Sequence, residues 1–224
     1  MKVLVPITLL LAAAGSCRPT PPTSPSPEDA PAVRFEMDEH YMDVWAIKDA
    51  VVDGELDTVA ELAERLAARE READHPSSWD PHVQHVVTHA EALTKGDDLG
   101  VAASGVAQLG AACGGCHSDL GVQVTFDDTV EPDMDDDSSA ASMQRHQWAV
   151  DRMWEGLVGP SDWAWEHGAE LIVHAPGCAE TPDGPGCAAM ATLGPQAVAA
   201  ADENARVDVY GKLLGTCAAC HAGG

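Results

Sequence analysis

Basic side chains are scarce in this chain of 224 residues: 12 Lys and Arg stand against 37 Asp and Glu, a formal net charge of −25. A nucleic-acid binder needs the opposite, a basic footprint for the phosphates, so that class is excluded. The balance points instead to a soluble chain whose partners present basic surfaces. Aromatic residues are also few, at 4%. The core must then be built mainly from Ala, Val and Leu, and small cores of that kind rarely bury enough apolar area alone. Something besides side chains is expected to complete it. No segment alternates apolar and polar residues as a half-buried strand would. After the first sixteen residues no apolar run approaches the ~20 needed to span a bilayer.

Those first sixteen residues, MKVLVPITLLLAAAGS, have the form of an export signal. Lys2 supplies the positive start, residues 3–14 are apolar but short, and Ala14, Gly15 and Ser16 are small residues leading into Cys17. The segment resembles a bacterial lipoprotein signal, although Ala14 stands where Leu is usual. That resemblance implies cleavage after residue 16, lipidation of Cys17, and a place on the periplasmic or outer-surface side of a bacterial membrane. Residues 17–33 are rich in Pro, Ser and Thr. Repeated Pro excludes helix and central strand, so they read as an extended tether.

From residue 34 the spacing of apolar residues is helical. Met37, Tyr41, Val44 or Trp45, and Lys48 share one stripe with Ile47 and Val51 beside it, and Asp53-Gly54 ends the run. Leu56, Val59, Ala63, Leu66 and Ala67 mark a second helix. A third is capped by Asp80, with Pro81 at its first position and Val83, Val86, Val87, Ala90 and Leu93 on its apolar face. A fourth begins near Asp98 and runs through Leu99, Ala102, Val106 and Leu109 into CGGCH. Residues 127–139, DDTVEPDMDDDSS, hold seven acidic residues and a Pro without periodicity, and residues 122–139 read as a linker.

The second half follows the plan of the first. Met37 and His40 are matched by Met143 and His146, Ile47 is matched by Met153 at the same offset, and CGGCH is matched by CAACH. The interval from His40 to His146 agrees within two residues with that from His117 to His221. Helices are expected at 140–158, 162–174, about 187–201 and 203–221, the third of them interrupted by Gly194-Pro195. The expected architecture is all-α: two tandem up-down-up-down four-helix bundles, 34–121 and 140–224, each ending in Cys-x-x-Cys-His.

Three chemistries use a Cys-x-x-Cys pair. A redox dithiol draws its low thiol pKa from a helix N-terminus after a strand, whereas both pairs here end long helices, where the dipole acts the other way. A structural zinc site separates its ligand pairs by a dozen or so residues; these lie about a hundred apart. Covalent haem c accounts for the rest of the motif. Cys113 and Cys116, and again Cys217 and Cys220, stand one helical turn apart and can reach both vinyl-derived carbons of one porphyrin, and His117 and His221 follow as proximal ligands. Export suits that attachment. Cys178 and Cys187, flanking a Pro/Gly loop, are left to form a disulfide, with free thiols as the alternative.

Four amphipathic helices with Cys-x-x-Cys-His ending the last resemble the class II, cytochrome c′-like cytochromes c, over about residues 34–121 and 140–224. The resemblance implies a haem held within each bundle and a role in electron transfer or small-gas binding. In such a bundle the start of the first helix lies beside the end of the fourth. His40 and His146 are therefore the favoured distal ligands. Met37 and Met143, or an open distal site, are the alternatives. A His there departs from the family, whose distal residue is apolar or a Met. His82, His85 and His89 share a side of the third helix and could hold a metal, but the second half has no counterpart, and a polar face explains them as well. Trp45, Trp148, Trp154, Trp163 and Trp165 are expected in the core. The leading function is electron carriage by two haems for partners with basic docking surfaces, not enzymatic. The alternative is a haem that binds NO or CO at an open site, and peroxide reduction ranks last for want of a base.

Overall fold

The computed structural model describes residues 30–126, 130–134, 136, 138–174 and 185–222. These form eight α-helices, with no strand among the described residues, so the all-α expectation holds. Helix α1 (Ala30–Val52) begins inside the segment expected as tether. Pro31 falls in its first turn, where a missing N–H removes no helical hydrogen bond. The chain leaves α1 through Gly54, whose φ of 77° suits a residue without Cβ, and enters α2 (Leu56–Glu72).

A 3₁₀ turn, Ser77–Trp79, precedes α3 (Asp80–Leu93). Asp80 does not cap α3 as the sequence suggests. It is the first helical residue, and Trp79 occupies the capping position. Burial of the Trp79 indole closes the turn one residue early. Helix α4 (Leu99–Leu120) is capped by Asp98, whose carboxylate accepts the Val101 N–H at 3.0 Å. It ends at Gly121, φ 66°, whose N–H returns to the carbonyls of His117 and Ser118. That left-handed cap stops the helix one turn past CGGCH.

In the second half, α5 (Ser139–Val158) starts at Ser138, whose hydroxyl accepts from Ala141 N–H. Ser161 and Asp202 serve α6 (Asp162–His174) and α8 (Glu203–Ala222) in the same way. Helix α7 (Pro185–Ala199) runs through Pro195 without the interruption expected there. Its buried residues Met190, Leu193 and Ala197 lie on both sides of the proline, and packing on α6 and α8 outweighs the one hydrogen bond that proline removes.

Consecutive helices pack on one another within each half, and α1 also meets α4 as α5 meets α8. The halves do not stand apart. Helix α4 packs along α8 and against α5, and a single buried cluster draws on all eight helices. Helix α4 is long and apolar enough to cross a membrane by length and composition, unlike the sequence expectation for this region. Much of it packs in the core against α1, α3, α5 and α8, although Val101 is 62% exposed. Trp154 and Trp165 are fully buried there with Tyr210, whereas Trp163 is 65% exposed and does not belong to the core.

Gly211 of α8 sits beside Ser104 of α4, and Gly215 beside Ala103 and Gly100. As one number rises the other falls, so the two helices are antiparallel. Their Cys-x-x-Cys-His ends therefore lie at opposite ends of the molecule, separated by about one helix length, roughly 30 Å at 1.5 Å per residue.

Candidate functional site

The first cluster lies where α1 passes the end of α4. Cys113 is buried, and Cys116 and His117 are partly so. His40, on α1, directs Nδ1 at Glu70 Oε1 of α2, 2.6 Å away, and its Nε2 lies 3.9 Å from Cys113 Sγ. Burial alone would lower the His40 pKa, but hydrogen bonds to Cys113 and Glu70 reverse this and carry it to about 10. His117 Nδ1 is 2.7 Å from the Val158 carbonyl at the end of α5. A carbonyl only accepts, so the proton is on Nδ1 and Nε2 keeps its lone pair. Burial lowers the His117 pKa; the Val158 bond raises it in part, and nearby His40 lowers it again. The two imidazoles thus share one site.

The second cluster repeats this at the other end of the α4–α8 pair. Cys217 is partly buried, and Cys220 and His221 are exposed on the last turns of α8. His146, on α5, has a buried Nε2 with no hydrogen-bond partner. Its pKa is lowered by burial and then by His221, whose charge reaches it. His221 Nδ1 lies 3.8 Å from Asp53 Oδ1, just beyond the end of α1. Ala222 approaches Gly54 in the same turn.

The four cysteines are free thiols. Burial, the largest cause, pushes both Cys116 and Cys217 to about 11, which disfavours the thiolate that dithiol exchange requires. Among the described residues no group of three or more His, Cys, Asp or Glu side chains converges to hold a bare metal ion. His82 on α3 lies 3.9 Å from Asp119, and His89 is lowered by burial and then by His85. Met37 and Met143 are exposed, at 37% and 46%. Cys187 is disulfide-bonded; Cys178 and Cys17 lie outside the described residues.

Three contributors are absent from the sequence reading. Glu70 carried a signal: it continues the apolar stripe of Ala63, Leu66 and Ala67, and a carboxylate on a core stripe needs a buried partner. Asp53 was visible only as a turn residue. The Val158 carbonyl, a main-chain group from the other half, carried none.

The donor set suits a covalently held haem: paired thiols one turn apart, a proximal imidazole with its outer nitrogen tied back, and a second buried imidazole across the site. An unpartnered buried nitrogen such as His146 Nε2 is costly unless something binds it. A porphyrin in the first site requires that His40 separate from the Cys113 thiol and give up the proton that Cys113 and Glu70 hold on it. Compared with known proteins, the chain matches no protein-family model, no curated protein and no solved structure.

Proposed function

We propose that this chain is a haem c protein in which each set of four helices is one haem-bearing bundle. More particularly, it is a dihaem electron carrier, exported and lipid-anchored through Cys17. One observation carries the reading: His40 Nε2 lies 3.9 Å from Cys113 of the Cys-x-x-Cys-His that ends the fourth helix, and in the other half His146 is near enough to His221 for its pKa to be lowered by it. Cys113, Cys116 and His117 would hold one haem, and Cys217, Cys220 and His221 the other, with His40 and His146 as sixth ligands. Bound haem supplies a one-electron couple. The chain shelters Cys113 from water by burial, fixes the His117 tautomer through Val158, and orients His40 through Glu70. Exposure of Met37 and Met143 favours the histidines over them.

The test is the absorption spectrum of the haem-loaded protein with and without carbon monoxide. Two six-coordinate, low-spin haems that ignore carbon monoxide are expected, and His40→Ala and His146→Ala should each open one haem to it. A wild-type protein that takes up carbon monoxide readily would replace electron carriage by gas binding. A protein that acquires no haem in a host competent for c-type attachment would remove the reading.

The acidic surface supports a basic redox partner. Reduction by such a partner is expected to slow as ionic strength rises and the Debye length shrinks from ~30 Å at 0.01 M to ~8 Å at 0.15 M. A flat rate in stopped-flow mixing across that range would remove electrostatic docking from the account.

A further inference from the structure

One carboxylate in the core serves the first site. Glu70 lies on the apolar stripe of α2, is 6% exposed, and stands 2.6 Å from His40 Nδ1. The arginines on either side of it are engaged elsewhere: Arg69 reaches Asp43, and Arg71 reaches Glu91. A carboxylate only accepts, so the proton between the pair sits on Nδ1, and Nε2 faces Cys113. Attachment through Cys113 would move its thiol hydrogen to a porphyrin vinyl group and leave a thioether. A thioether has no proton to give and no negative charge. The hold on the Nε2 proton then weakens, while the bond from Nδ1–H to Glu70 stays.

The second site is built differently. At the offset that relates His40 to His146, Glu70 is matched by Pro176, which carries no carboxylate and lies outside the described residues. The His146 pKa answers to burial and then to His221. Asp53 is 3.8 Å from His221, beyond hydrogen-bond reach, and both side chains are open to water. A buried carboxylate on the outer nitrogen of a ligating imidazole makes it a stronger electron donor, which stabilises the oxidised iron. Away from water such a charge also acts over a longer reach. That of Glu70 extends to Cys116, whose thiol is raised by burial first, then by Cys113, Asp119 and Glu70.

We infer that Glu70 is the positioning residue of the first haem's distal ligand, His40, and that its charge lowers the reduction potential of that haem alone. The inference rests on the haem reading above. The two haems then differ through a residue of α2 that touches neither the porphyrin-bearing cysteines nor the histidines that follow them.

The experiment is a spectroelectrochemical titration of the full haem-loaded chain, with a carbon monoxide spectrum of each variant. His40→Ala identifies the first haem by the midpoint potential it displaces. Glu70→Gln keeps an oxygen for the Nδ1–H and removes the charge. It should raise that midpoint, leave the other in place and keep both haems six-coordinate. Glu70→Leu loses the hydrogen bond as well and should open the first haem to carbon monoxide. Should that variant fail to fold, the isosteric Gln variant decides alone. Glu72→Gln removes an exposed charge from the same helix and should move neither midpoint. If Glu70→Gln leaves both midpoints in place, the inference fails and the haem reading stands. If both rise together, or Glu72→Gln reproduces the shift, a general field effect replaces the inference. If the wild type acquires no haem, or His40→Ala changes neither haem, the earlier reading falls and this inference with it.

Discussion

Gly114→Ala is expected to destabilise the protein by roughly 3 kcal/mol or more, at the upper end of the overpacking range, whereas Gly115→Ala in the same motif is expected to be neutral or to stabilise by ~0.5–1 kcal/mol. The contrast comes from what each Cβ would meet. At Gly115 nothing lies within 4 Å, so alanine brings only its better helix propensity. At Gly114 the new carbon would fall 2.1 Å from the carbonyl oxygen of Leu157 and 3.3 Å from its carbon. A side chain could rotate away, but main chain cannot, so α4 and α5 must part. The damage extends to function, because the next carbonyl along α5, that of Val158, holds His117. Urea unfolding of the two variants checks this directly. A Gly114→Ala protein within about 1 kcal/mol of wild type would mean that α5 yields easily, and that the close approach is no constraint on the site.

That glycine also shows where sequence reading stops. Helical periodicity placed the first four helices, because each buries one stripe of a 3.6-residue repeat, and the repeat of that plan placed the four described in the second half. Misplacements arose where tertiary contacts compete with local signals. Buried Trp79 moved the start of α3, and packing around Pro195 carried α7 through a residue that breaks helices in isolation. The cysteine pairs and their histidines were legible because the motif is local and its residue types are rare. The groups that hold those histidines were not. Val158 acts through its main chain from across the acidic stretch, and main-chain acceptors leave no trace in residue identity. The union of the two halves was equally hidden. The small residues Ser104, Gly110, Gly211 and Gly215 that let α4 lie against its neighbours look, in sequence, like ordinary residues of an alanine-rich helix.

Lys48 concerns the same junction. Periodicity set it on the apolar stripe of α1 between Val44 and Val51, and the structure confirms the burial: it is 3% exposed. Its ammonium reaches Asp151 of α5 at 2.6 Å, lies 3.3 Å from Asp49, and stands 3.8 Å over the Trp45 ring. This charge pair therefore ties the first helices of the two halves together. Removing one partner of a fully buried pair costs about 3–5 kcal/mol, because the other is left uncompensated. The Asp151 side chain is 22% exposed, so Lys48→Met is expected to cost somewhat less, about 2–4 kcal/mol at neutral pH. Burial raises the Asp151 pKa, and Lys48 works against that rise. A carboxyl whose pKa is raised on folding binds its proton more tightly in the native state, so its ionisation costs stability as pH climbs through the folded value. Without Lys48 that rise grows, and the variant's penalty should be largest near neutrality and shrink as Asp151 takes up a proton in acid. Urea unfolding at pH about 7.5 and about 4.5 measures the difference. Lys48→Met with Asp151→Leu should recover most of the loss, since an apolar pair of similar size replaces the ionic one. A penalty equal at both pH values, or a double variant no better than the single, would show that Lys48 acts through its packing on Trp45 and not through Asp151.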